Sequence, residues 1–153
     1  MRIRCIANTG EFLNETYLDP AVGRTKETEF QLTIDKEYIV YALYQWQGSI
    51  WYYICDDGYT YYPQQNPAPL FEVIDNRLSS YWRFKVYPNG LLKLAFEEWL
   101  SDRYFYDKLT DGEETESLIF EKVKELIDAE VLSATPKNNV IESVVLTSNV
   151  SCT

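Results

Sequence analysis

Lys36-Glu37-Tyr38-Ile39-Val40-Tyr41-Ala42-Leu43-Tyr44 and Ser49-Ile50-Trp51-Tyr52-Tyr53-Ile54-Cys55, joined by Gln45-Trp46-Gln47-Gly48, decide the fold. Both runs are dense in β-branched and aromatic residues, which pack well on a pleated surface. Both are apolar at successive positions, so each predicts a strand covered on both faces. Immediately downstream, Asp56-Asp57-Gly58 separates Trp51–Cys55 from Tyr59-Thr60-Tyr61-Tyr62. An Asp-Gly pair readily takes positive φ, so a tight hairpin is expected there, with Tyr59–Tyr62 as its return strand.

Upstream, Phe30, Leu32 and Ile34 alternate with Gln31, Thr33 and Asp35, which predicts a further strand of period two. Residues 11–28 read as irregular, and Arg2–Ala7 as a short opening strand ended by the turn-tolerant Asn8-Thr9-Gly10. Beyond the hairpin, Pro63, Pro67 and Pro69 stiffen a connection before a strand over Leu70–Ile74. Strands over Tyr81–Tyr87 and Leu91–Phe96 follow, joined by a turn at Pro88-Asn89-Gly90.

The period then changes to about 3.6: Phe96, Trp99, Leu100 and Tyr104 share one face of a helix of about three turns. Thr110-Asp111-Gly112-Glu113 has the spacing of a capping box and predicts a second helix to about Glu130. That helix would bury a stripe of Leu118, Ile119, Val123, Leu126 and Ile127. Residues 131–153, with a Val-Ile-Glu-Ser-Val-Val-Leu run, fit either an added edge strand or a tail. The expectation is one α+β domain over residues 1–130, strands to about 96 and two helices over about 97–130, packed on one side of a sheet or barrel.

The 153 residues carry 14 Lys+Arg against 24 Asp+Glu and no His, a formal charge of −10. Residues 97–130 hold four bases and twelve acids, so most of the imbalance lies in the helical part. Phosphate backbones and anionic lipids need clustered cations, so nucleic acid and membrane surfaces are disfavoured and a basic protein partner is favoured. The same acids also fit a plain solvated helix face. No run approaches the ~20 apolar residues of a spanning helix. Met1–Leu13 lacks the apolar core of a secretory leader, and a cytoplasmic address is expected. Cys5, Cys55 and Cys152 are too few and too widely spaced for a disulfide framework or a zinc site; Cys5 and Cys55 read as small apolar strand residues.

Nothing in the chain combines a nucleophile, a base and an orienting group. Without His, acid–base chemistry falls to carboxylates, Lys, Tyr or Cys. The visible carboxylate pairs, Asp56 with Asp57 and Glu97 with Glu98, are adjacent residues that point in different directions. No phosphate-cradling Gly loop, dinucleotide fingerprint or EF-hand spacing is present, so no cofactor and no metal is expected. The run Tyr38, Tyr41, Tyr44, Trp46, Trp51, Tyr52, Tyr53, Tyr59, Tyr61 and Tyr62 cannot face one core by alternation alone. Either both faces are buried or some rings are exposed as interface anchors, with Trp46 on a loop and Tyr59 at a hairpin end the first candidates. Candidate binding residues are therefore Trp46, Asp56, Tyr59, Tyr61, Glu113, Glu114 and Glu116.

Leu32–Tyr41, Trp51–Ile54, Tyr61-Tyr62-Pro63 and Pro69–Asp75 together resemble a small SH3-like barrel found in bacterial proteins, over roughly residues 28–87. In such barrels a Gly often precedes the Lys-x-Tyr-x-Val strand; here Asp35 stands in that place. The resemblance implies a small SH3-like antiparallel β-barrel, or a strongly twisted sheet, followed by the two helices. In character, though not by motif, the chain is similar to immunity proteins, which neutralise often basic toxins. A non-catalytic protein-binding domain of that type, a monomer or weak homodimer, is the leading expectation. A carbohydrate-binding module using exposed Tyr and Trp, and an enzyme of unrecognised type, are the alternatives.

Overall fold

A computed structural model describes residues 1–59 and 61–133. Seven strands, β1 (Arg2–Cys5), β2 (Glu37–Trp46), β3 (Ser49–Ile54), β4 (Gln64–Pro67), β5 (Phe71–Asp75), β6 (Trp82–Val86) and β7 (Leu92–Phe96), precede three helices: α1 (Glu97–Ser101), α2 (Phe105–Thr110) and α3 (Glu114–Ser133). All pairings are antiparallel. The order β4-β3-β2-β1-β5 is branched, because β7 also pairs with β2 and β6 pairs with β7. The expected α+β class therefore holds, and the sheet is open: it does not close into a barrel.

The ten-residue β2 organises the sheet. Its first half pairs with β1 (Arg2↔Ile39) and its second half with β7 (Leu43↔Leu94), while β3 covers its other edge. Trp46 belongs to this strand rather than to a loop. The tight hairpin is at Gln47-Gly48, whose φ values of 49° and 81° suit a two-residue primed turn between the paired Trp46 and Ser49.

The Asp-Asp-Gly hairpin is corrected, since neither Asp57 nor Gly58 has positive φ. The chain makes a wider excursion and returns to β3 only at Gln64, opposite Ile54. Tyr59, Tyr61 and Tyr62 lie outside any strand, and Thr60 lies outside the described residues. Pro63 precedes the short β4 and Pro67 ends it, positions tolerated because β4 is an edge strand.

Residues 30–35 alternate in sequence but form turns. The Leu32 amide donates to the Phe30 carbonyl, and the Lys36 amide to the Thr33 carbonyl. Asp35 has φ 70°, a left-handed backbone in which Asp is one of the few side chains tolerated.

The expected first helix is two. Asp102 breaks it, its Oδ1 accepting from the Tyr104 amide and its carbonyl from the Phe105 amide. The capping box is also corrected. Thr110 ends α2, and its hydroxyl donates back to the Asp107 carbonyl. Gly112, at φ 78°, turns the chain while its amide and that of Glu113 satisfy the Leu109 and Lys108 carbonyls. The motif terminates one helix instead of starting the next.

Helix α3 runs to Ser133, past the expected end. Its buried residues are Phe120, Ile127 and Val131, with Ile119 and Val123 half-buried, whereas Leu118 is 58% exposed. The remaining tail, with Cys152 and the Val-rich run, lies outside the described residues. Among the described residues no helix is long and apolar enough to cross a membrane.

Both faces of the central strands are covered. Tyr52 and Tyr38 pack edge-on to Phe71 of β5, while Tyr53 on the other face meets Trp99 at 4.7 Å and Tyr106 at 5.1 Å. Helix α3 lies across β2, with Phe120 edge-on to Tyr41 at 5.7 Å. Tyr38, Tyr41, Trp51, Tyr52 and Tyr53 are thus core residues.

Candidate functional site

The excursion between β3 and β4 is held in place by two aspartates. Asp56 Oδ1 accepts from the Gly58 amide at 3.0 Å and Oδ2 from Nδ2 of buried Asn66 at 3.2 Å. Burial raises the Asp56 carboxyl above its ordinary range, against the pull of those two hydrogen bonds. Asp57 turns the other way and accepts from Lys36 Nζ (2.6 Å), Thr33 Oγ1 (2.6 Å) and the Tyr38 hydroxyl (2.9 Å). Burial alone would raise Asp57, but these three hydrogen bonds together leave it below its ordinary value. Asp56 and Asp57 are therefore anchors of the loop, with Asp56 half-buried.

The anchored loop presents Tyr59 and Tyr61 to α3. The Tyr61 hydroxyl donates to the Thr110 carbonyl at 2.7 Å, at the end of α2. Between the two tyrosines and α3 lies a groove of about 420 Å³ whose helical wall comprises Ser117, Phe120, Glu121, Lys124 and Glu125. Under it sits a polar cluster: Tyr41 donates to Asp128 Oδ1 at 2.5 Å, and Lys124 Nζ lies 2.8 Å from Asp128 Oδ2 and 5.6 Å from the centroid of the Tyr41 ring.

Burial raises the Tyr41 hydroxyl strongly, with the Asp128 hydrogen bond adding to it. Cys55 is pushed up to about 12, chiefly by burial, with the nearby Lys124 pulling it back only in part. At neutral pH both stay protonated, and the Lys124 charge is matched by Asp128. Glu121 and Glu125 have no ion pair among the described residues.

No family model, curated protein or solved structure matches the chain. Of the seven residues singled out by sequence, Tyr59 and Tyr61 line this groove. Glu114 lies seven residues before Glu121 and eleven before Glu125, spacings that put it on the same helical stripe. Glu113 sits at the turn before α3. Glu116 lies on another side of the helix, and neither Glu116 nor Glu113 is among the residues that line the groove.

Trp46 is elsewhere. It lines a separate groove of about 380 Å³ with Arg24 and Tyr44 that shares no residue with the first. Glu121, Glu125, Lys124 and Asp128 were missed by sequence reasoning, which weighted the acids nearest the apparent helix start. The i, i+4 spacings of Glu121 with Glu125 and of Lys124 with Asp128 were the available sign of two distinct stripes. Among the described residues no three His, Cys, Asp or Glu side chains converge as metal ligands.

Proposed function

We propose that this chain is a non-catalytic protein-binding domain of the immunity type, whose Tyr59/Tyr61–α3 groove takes a basic side chain of a protein partner such as a basic toxin. The observation that carries this reading is the pairing of Glu121 and Glu125, without a cation of their own among the described residues, with two tyrosine rings across the groove. A Lys or Arg entering there meets carboxylates on one side and tyrosine rings on the other, and both can attract it. The net charge of −10 steers such a partner towards the chain before contact.

We extend the proposal to the SH3-like likeness of residues 28–87. What supports it is the consecutive antiparallel pairing of β2, β3 and β4 within those residues. Free Cys5 and Cys55 suit a reducing compartment, and we assign the domain to the cytoplasm within this reading.

The test is to capture partners on the immobilised chain at low salt, then measure association kinetics with the purified partner. Glu121→Gln with Glu125→Gln is expected to slow association about tenfold at low ionic strength and to flatten its salt dependence. A partner of net negative charge, or association rates identical for the two proteins, overturns the proposal.

A further inference from the structure

The groove at the C-terminal end of β2 carries a different chemistry. Its cation is Arg24, placed by a tight loop in which the Asp19 amide donates to the Arg24 carbonyl at 2.8 Å and the Arg24 amide returns a bond to Asp19 at 3.0 Å. Arg24 Nε donates to the Tyr17 carbonyl, and the guanidinium stands 4.6 Å from the centroid of the Trp51 ring. Its two terminal nitrogens have no carboxylate or carbonyl partner among the described residues, in a chain where acids outnumber bases by ten. A guanidinium held over a ring by its Nε bond, with its terminal nitrogens unclaimed, is positioned to receive an anion.

Around that fork the groove offers a ring and hydrogen-bonding groups. Tyr44 stacks on Trp51 at 10° and its hydroxyl donates to Gln65 Oε1 at 2.8 Å, which leaves the Gln65 amide hydrogens available. Gln47, at the hairpin tip, is exposed. Trp46, half-buried, lines the groove and makes no ring–ring contact and no indole hydrogen bond among the described residues.

We infer that this groove is a binding site for a saccharide that bears a carboxylate, a uronate, with Arg24 gripping the carboxylate and Trp46 stacking on the pyranose ring. The amides of Gln47 and Gln65 and the Asp19 carboxylate supply partners for the hydroxyls. An acidic peptide fits less well: it would seek an unpaired strand edge, and the edge at this groove is the four-residue β4, flanked by Pro63 and ended by Pro67. The inference goes beyond the protein-partner proposal and shares no residue with it.

The experiment titrates the full chain with oligomers of glucuronate, galacturonate and mannuronate, following binding by calorimetry and by backbone amide shifts. A neutral glucose oligomer, acetate and a Glu-rich peptide serve as comparison ligands. At least one uronate oligomer is expected to bind at least tenfold more tightly than all three comparisons, with shifts at Arg24, Trp46 and Gln47. Arg24→Gln, which removes a charge-assisted contact, and Trp46→Ala, which removes the stacking ring, each checked for an unchanged far-UV spectrum, are expected to weaken it roughly tenfold or more. Glu121→Gln with Glu125→Gln is expected to leave it unchanged. No uronate binding up to roughly 10 mM, equal binding of the neutral oligomer, tighter binding of the peptide, or shifts confined to other residues overturns the inference. Should Trp46→Ala unfold, Arg24→Gln and the shift map decide it.

Discussion

Asp57 shows how one side chain can hold two remote segments together. It ties Lys36, Thr33 and Tyr38 to the loop after β3, while its own amide donates to the Gln31 carbonyl at 2.9 Å. Hydrogen bonds to a charged group contribute about 1.5–3 kcal/mol each in favourable settings, but they share partners here and one is an exposed lysine. Asp57→Ala is therefore expected to lower the unfolding free energy by about 2 kcal/mol at pH 7. Because its native carboxyl lies below the unfolded value of 3.8, the ionised form contributes stability above that value and the contribution is lost as pH falls through the native one. Urea unfolding of the two proteins at pH 7 and near pH 2 checks this: the gap should close in acid. A gap that persists unchanged would mean that packing, not charge, is its source. From the sequence Asp57 is only half of an Asp-Gly turn signal, because the three residues that ionise it lie 19 to 24 positions upstream.

Elements were legible where local pattern and tertiary demand agreed, as in β2, β3, β5, β6, β7 and the Pro88-Asn89-Gly90 turn, where Gly90 takes φ 89°. They were misread where a local pattern admits two outcomes. Phe30–Asp35 alternates like a strand, yet its amides find partners within the segment and in the β1 end, since the Asp35 amide donates to the Cys5 carbonyl. Phe120 was left off the buried stripe because Leu118 fits a helical spacing equally well; only the position of Tyr41 decides which side of α3 turns inward. Thr110-x-x-Glu113 is the sharpest case, since the same four residues can open a helix or close one. If they close α2, Thr110→Ala should cost under about 0.5 kcal/mol, whereas Ala at Gly112 must adopt a left-handed backbone at a cost of about 1–2 kcal/mol. A true capping box would reverse that order. Thermal unfolding of the two variants distinguishes them.

At the scale of the whole molecule, the aromatic rings and the acids are placed by different demands. The aromatic run was ambiguous in sequence because alternation says that rings point both ways and does not say what meets them. The structure covers one face with β5 and the other with α1 and α2, leaving Tyr61, 41% exposed, as the ring of that run most open to solvent. The acids follow a different logic. Of the four bases in residues 97–130, Lys108 and Lys124 are tied to Asp102 and Asp128, and none of the four forms an ion pair with Glu114, Glu121 or Glu125 among the described residues, so Glu121 and Glu125 repel each other across one turn. Like charges at i, i+4 cost a few tenths of a kcal/mol, and the cost falls as salt shortens the screening length from about 30 Å at 0.01 M to about 8 Å at 0.15 M. Glu121→Gln with Glu125→Gln should therefore raise the thermal midpoint at low salt by roughly 1–2 °C, a gain that fades at physiological salt. Removing the same carboxylates is also expected to slow capture of a cationic partner. A variant that melts earlier than the parent at low salt would show that these two carboxylates have cationic partners after all, and the groove would then lose its claim on a basic side chain.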